Sequence, residues 1–180
     1  MRAEVTGILR SLLEAGSAII AEEFNKHPRN AHGAIRARSW LMDVILALAF
    51  HVATTRLHPN PVPTDGERLA LIAVGGYGRG EMAPQSDVDL LFLSPWKITG
   101  WGESVVESLL YILWDMKLKI GHSVRTVRDC VNLGRDDYTI RTALLENRFI
   151  TGDANLADEL RDTLDSELFK GTASEFIEAK

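Results

Sequence analysis

The chain is most constrained between residues 73 and 93, "AVGGYGRGEMAPQSDVDLLFL", where Gly75, Gly76, Gly78 and Gly80 follow one short apolar run and Asp87 and Asp89 open another. "RLALIAV" is too short for a helix and ends at glycine, so it predicts a buried strand. "DVDLLFL" predicts a second. Strands joined by a glycine turn with acids at the mouth of the second need a sheet, and a sheet needs helices to cover it.

The helices are legible on both sides. Val5, Ile8, Leu9, Leu12 and Leu13 recur at helical spacing, and the pattern continues through Ile19 and Ile20. Pro28 breaks it, and a second helix is expected from about Ala31 to Arg56. "HPNPVPTDGE" is a loop, since three prolines lie within five residues. Helical period returns between Gly102 and Lys119, with Gly121 expected as the stop. "HSVRTV" alternates as a strand, with Ser123 and Arg125 on one face. Helices are then expected around Tyr138–Phe149 and Asn155–Phe169, with Asp137 as an N-cap. The expected organisation is a helical segment over 1–58, a sheet core over 59–135 and C-terminal helices over 136–180. The fold class is α+β with a small mixed sheet.

Composition removes several function classes. The 180 residues are 46% hydrophobic and 25% charged, as in an ordinary globular domain. The longest apolar stretch, "WLMDVILALAF", is short for a bilayer and carries Asp43, so no membrane partner is expected. The N-terminus lacks the pattern of a signal peptide, and a cytoplasmic setting follows as the default. Cys130 is the single cysteine, which rules out an internal disulfide and a cysteine zinc site. The last thirty residues hold eight acids against three bases, which accounts for the whole net charge of −5. No basic stripe suited to duplex nucleic acid is present.

Three chemistries place glycines after a strand. A phosphate loop needs Lys and then Ser or Thr after its last glycine, but Glu81 and Met82 stand there. A dinucleotide fingerprint is met by Gly78, Gly80 and Ala83, but Pro84 and the next strand leave no room for the helix it must open. Metal-assisted nucleotidyl transfer remains. Residues two apart on a strand share a face, so Asp87 and Asp89 project together. Paired carboxylates repel unless a cation joins them, and hard Mg²⁺ suits carboxylate and phosphate oxygens. Glycines let backbone N–H groups approach a polyphosphate. A bare Asp-x-Asp after a glycine turn is common without function; here it is the combination with two apolar strands that carries the reading.

These features resemble the DNA polymerase β-type nucleotidyltransferase superfamily. "GGYGRGEMAPQSDVDLLFL", "LWDMKLKIGHSVRTVRDC" and "TALLENRFITGD" together are similar to the N-terminal nucleotidyltransferase domain of bacterial uridylyltransferase/uridylyl-removing enzymes. The resemblance implies a polymerase β-like core and transfer of UMP from UTP to a tyrosine hydroxyl of the PII signalling protein, with release of pyrophosphate. It implies Gly75 and Gly76 at the nucleotide phosphates and Asp87 and Asp89 as catalytic, metal-binding acids. Arg79, Ser86 and Arg125 are further nucleotide-binding candidates; His122 reads better as a structural imidazole. The uridylyl-removing and glutamine-sensing domains of such enzymes have no counterpart in these residues, so attachment alone is expected. The third carboxylate of many superfamily members is missing from "HSVRTV"; Asp115, Asp129 and Asp137 lie in neighbouring segments. Rival readings are a nucleotide-binding module without turnover, and a nucleotidyltransferase that uses ATP on another acceptor.

Overall fold

A computed structural model describes residues 2–170. Its centre is a four-stranded mixed sheet: β1 (Ala70–Ala73), β2 (Val88–Ser94), β3 (Ile120–Thr126) and β4 (Arg148–Gly152), in the order β3-β2-β1-β4. β1 runs antiparallel to β2 and to β4, while β2 and β3 are parallel. A parallel pair needs a long crossover, supplied here by a helix, α4 (Gly100–Asp115; the helices before it are given below).

Both faces of the sheet are covered, which is why its central strands are apolar almost without interruption. On one face Leu71, Leu90 and Phe92 pack with Leu9, Met42, Ile45, Leu46, Leu109 and Leu113. These come from α1 (Arg2–Lys26), α2 (Ala31–Val52) and α4. On the other face Ile72, Leu91 and Leu93 pack with Val131, Leu144, Leu156 and Leu160. These come from α5 (Val127–Asp136), α6 (Tyr138–Leu145) and α7 (Ala154–Leu164). The remaining helix, α3 (Gly75–Gly78), is a single turn between β1 and β2.

The N-terminal helices therefore share a core with the sheet rather than standing beside it. With its π-helical continuation to Leu57, α2 is long and apolar enough by length and composition to cross a membrane. Here Ile45, Leu46 and Ala49 are fully buried inside the protein instead. Its start is fixed by Asn30, whose side chain accepts from the Gly33 N–H.

Three expectations need correction, and one helix was not foreseen. The helix expected to run to Lys119 ends at Asp115, because Lys117 takes a left-handed φ of 64° and the Leu118 N–H closes back on the Leu113 carbonyl at 3.2 Å. That is a Schellman-type stop with lysine in the place glycine favours. Gly121 lies inside β3, so it does not cap the helix. The helix expected through Phe149 stops at Leu145, and Arg148–Gly152 pairs with β1, its free edge overriding a locally helical period. The segment after Thr126 forms α5, opened by a reciprocal Thr126–Asp129 capping box and buried at Val127, Cys130, Val131 and Gly134. Asp137 does cap α6, accepting from the N–H groups of Thr139 and Ile140. Of the acidic C-terminal stretch, residues 171–180 lie outside the described residues.

Candidate active site

The rim of the sheet where β1 ends and β2 begins collects the unusual features. Gly75 follows β1 with φ +60°, a conformation that side chains oppose, and starts the single turn of α3. The glycine loop is therefore a tight helical turn, though far too short to be the helix of a dinucleotide site. A Cβ on Gly75 would lie 3.6 Å from Asp89 Oδ2, so the turn stands directly over that carboxylate. The Val74 N–H donates to the Asp89 carbonyl at 3.1 Å and ties the two strands at this level. On the other side, Gly121 of β3 is the register partner of Asp89. A Cβ there would overlap Asp89 Oδ1. Asp89 thus fits because its neighbour on β3 is glycine, while a Cβ on Gly75 would meet its other oxygen at van der Waals distance.

Asp89 is half-buried and Asp87, just before β2, is exposed. Burial first, and then the charge of Asp87, hold the Asp89 carboxyl above the ordinary carboxylate range. Among the described residues neither acid has an ion pair or side-chain hydrogen bond to neutralise it. Two repelling oxygen donors without a countercharge, with glycine walls to either side, fit a hard divalent cation. Among the described residues no group of three or more His, Cys, Asp or Glu is placed to hold a metal. The neighbouring acids are occupied elsewhere: Asp129 and Asp137 cap helices, and Asp115 is exposed at the end of α4.

The remaining candidates separate into near and far. Arg79 Nη2 would be 3.5 Å from a Cβ on Gly76, so it lies against the turn. Its charge is already engaged: Nη1 is 2.5 Å from Glu146 Oε2, and Nε is 3.7 Å from Glu81. Ser86 is half-buried beside Asp87 and lines a cleft on the α1–α2 side. Arg125 is not brought to the acids. It lies four residues along β3 from Gly121, ~13 Å at about 3.3 Å per residue, and its charge acts on Cys130, Asp129 and Asp137. His122 is exposed on the opposite face of β3, edge-on to Trp114 at 6.2 Å between ring centres.

Three residues escaped the sequence reading although they hold the glycine turn in place. Arg148 at the start of β4 forms a bidentate pair with Asp43 of α2, at 2.7 and 3.0 Å. Its other donors reach the Gly78 and Tyr77 carbonyls, at 3.2 and 3.3 Å. The buried Tyr77 hydroxyl donates to Asp43 at 2.5 Å. Burial first, and then Asp43, push the Tyr77 phenol up, so it stays a donor. Burial opposes the charge on Arg148, but Asp43 outweighs it and the guanidinium is held above its ordinary value. One signal was readable: Asp43 is an acid inside an apolar helix, and a buried carboxylate needs a partner.

Comparison with known proteins agrees with this geometry. Residues 62–137, from the loop before β1 through α5, match the family described as nucleotidyltransferase domain. The chain is 59% identical over all of its 180 residues to a bifunctional uridylyltransferase/uridylyl-removing enzyme of Ruegeria pomeroyi, covering 20% of that protein. It is 60% identical over 166 residues to the enzyme of the same name from Cereibacter sphaeroides, across 92% of this chain and 18% of that one. A Nitrobacter winogradskyi protein of the same name is 51% identical over 155 residues, 84% of this chain and 17% of its own length. The chain spans about a fifth of the length of these relatives. These matches, with a mixed sheet whose glycine turn faces an acid-bearing strand, identify residues 62–137 of the chain as a nucleotidyltransferase domain.

Proposed function

We propose that this chain carries the transferase half of a uridylyltransferase: it moves UMP from UTP to a tyrosine hydroxyl of the PII protein and releases pyrophosphate, in the cytoplasm and with Mg²⁺. The acceptor oxygen forms a bond to the α-phosphorus, the bond from that phosphorus to the pyrophosphate oxygen breaks, and the hydroxyl proton passes to solvent. Asp87 and Asp89 would hold the cation, which when bound would offset charge on the phosphate oxygens. The N–H groups of the turn at Gly75 and Gly76 would receive phosphate oxygens, and the Ser86 hydroxyl, beside Asp87, would hydrogen-bond one on the other side of the acids. Arg79 braces the turn through Glu146, and Arg125 is assigned to the outer part of the nucleotide or to the acceptor.

The observation that carries the reading is Asp89, a half-buried carboxylate repelled by Asp87, without a countercharge among the described residues, and walled by Gly75 and Gly121. The name of the relatives, uridylyltransferase/uridylyl-removing enzyme, supports the choice of uridylyl group. The test is transfer of label from α-labelled UTP to PII, with and without Mg²⁺, beside an ATP arm. Metal-dependent labelling from UTP alone is expected. Labelling from ATP would replace the nucleotide, and binding of Mg²⁺-UTP with no labelling would reduce the chain to a binding module.

A further inference from the structure

A second site lies behind the acid-bearing loop, on the side of α1 and α2. A cleft of about 270 Å³ there is lined by Arg38 of α2, by Gln85 and Ser86 of the loop, and by Lys117 and Lys119 between α4 and β3. At ~30 Å³ per water in the liquid, it has room for a phosphate or pyrophosphate. No acid lines it. Among the described residues Arg38, Lys117 and Lys119 have no ion pair, whereas Arg79, Arg148 and Arg161 all do.

The backbone points to the same place. Gln85 and Lys117 are the non-glycine residues with positive φ among the described residues, at 66° and 64°. Both line this cleft. Left-handed backbone costs an L residue energy and persists where the surroundings require it. At Lys117 the helix stop needs a left-handed residue, and glycine would supply it without strain. A lysine there keeps a cation at the cleft instead. The cleft is also joined to the catalytic strand: the Lys119 carbonyl accepts from the Val88 N–H at 2.9 Å, and Ser86 precedes Asp87.

We propose that this cleft is a phosphate-binding site, with Arg38, Lys117 and Lys119 as the charges and the Ser86 hydroxyl as a hydrogen-bonding group. Phosphate oxygens are the hard, multiply charged acceptors that such a cluster of unpaired cations recognises. They could belong to a nucleotide's polyphosphate tail or to a free anion. The first source rests on the uridylyl-transfer reading and the second does not.

Calorimetry at low ionic strength without metal separates these cases, using inorganic pyrophosphate, UTP and UMP as probes. Pyrophosphate is expected to bind the intact chain, to weaken at least tenfold in Arg38→Gln/Lys119→Gln, and to weaken with added salt. It is expected to bind Asp89→Asn at least as tightly, since that change removes a negative charge near the loop, so failure of the transfer reaction leaves this site testable. If UTP loses affinity in the double variant in parallel with pyrophosphate, the nucleotide tail occupies the site. If UTP is indifferent while pyrophosphate weakens, the ligand is a free anion. Absence of pyrophosphate binding, or binding that the double variant leaves unchanged, overturns the site. A thermal melt checks each variant. Should the double variant be unfolded, Lys117→Gln at the exposed turn carries the test, with weakening of about threefold expected and an unchanged affinity overturning the proposal.

Discussion

The two sides of the glycine turn treat charge in opposite ways. Behind it, Asp43 and Arg148 neutralise each other at 2.7 Å, and Tyr77 adds its hydroxyl to the same carboxylate. In front of it, Asp87 and Asp89 face the same rim with nothing among the described residues to neutralise them, and burial first, then the charge of Asp87, hold the Asp89 carboxyl above the ordinary carboxylate range. Among the described residues the cations of the Ser86 cleft likewise have no ion pair. Opposite charges that satisfy one another fix a backbone, whereas like charges gathered without partners cost folding energy and are retained for a ligand. The family has therefore to be read from the unpaired groups, and the rigidity of the site from the paired ones.

The sharpest way to break the comparison is Asp89→Asn. It removes one like charge and keeps the shape, so on the proposed reading transfer of label to PII is expected to fall by about 100- to 1,000-fold, on the scale of losing a principal electrostatic group. Melting temperature should hold or rise slightly, because a repulsion has gone. Full transfer by a well-folded Asp89→Asn protein would remove these acids from the mechanism. Gly121→Ala reaches the same carboxylate from its neighbour: the new Cβ would displace Asp89 Oδ1, and a large loss of transfer is expected with a loss of about 1–3 kcal/mol in stability.

The paired side should behave in reverse. Arg148→Ala strands the Asp43 carboxylate and takes the guanidinium donor from the Gly78 and Tyr77 carbonyls, and denaturant unfolding should show a loss of about 2–4 kcal/mol, the range for leaving one member of a shielded ion pair alone. Asp43→Ala should cost a similar amount. In the double variant the losses should be well short of additive, because the charge each single change exposes is then gone. Additive losses would mean that the two residues act on the turn separately.

Much of this division was visible in the sequence. The acid pair, the glycine turn and the two central strands could be placed because each signal is local: apolar runs of strand length, glycine, and two acids two residues apart. The helices α1 and α2 followed from an uninterrupted 3.6-residue period. What was misread depends on distant partners. Nothing local distinguishes "RFITG" from the tail of a helix; its strand exists because β1 has a free edge. The Asp43–Arg148 pair joins residues 105 apart in the chain, so the sequence shows an acid in an apolar helix without saying what answers it. The helix stop at Lys117 was hidden because the residue in the left-handed position is not the glycine that normally announces it.

That misplaced stop supplies the smallest effect and the finest test of the contrast between paired and unpaired charge. Lys117 holds φ 64° at the end of α4, where the Leu118 N–H closes on the Leu113 carbonyl. If the lysine were there for the turn alone, Lys117→Gly would improve the protein without loss. Relief of left-handed strain is worth about 1–2 kcal/mol per residue, and the added freedom of glycine in the unfolded chain takes back roughly 0.5–1 of that. A net gain of about 0.5–1 kcal/mol is expected, seen as a rise of ~1–4 °C in the melting temperature for a chain of this size. If the side chain serves the cleft, the same variant must also bind pyrophosphate more weakly, because one of three cations has gone. Stability rising while affinity falls would separate what the backbone prefers from what the site requires. A gain in stability with affinity untouched would return Lys117 to the turn and, where Arg38→Gln/Lys119→Gln does not fold, would overturn the cleft as a phosphate site.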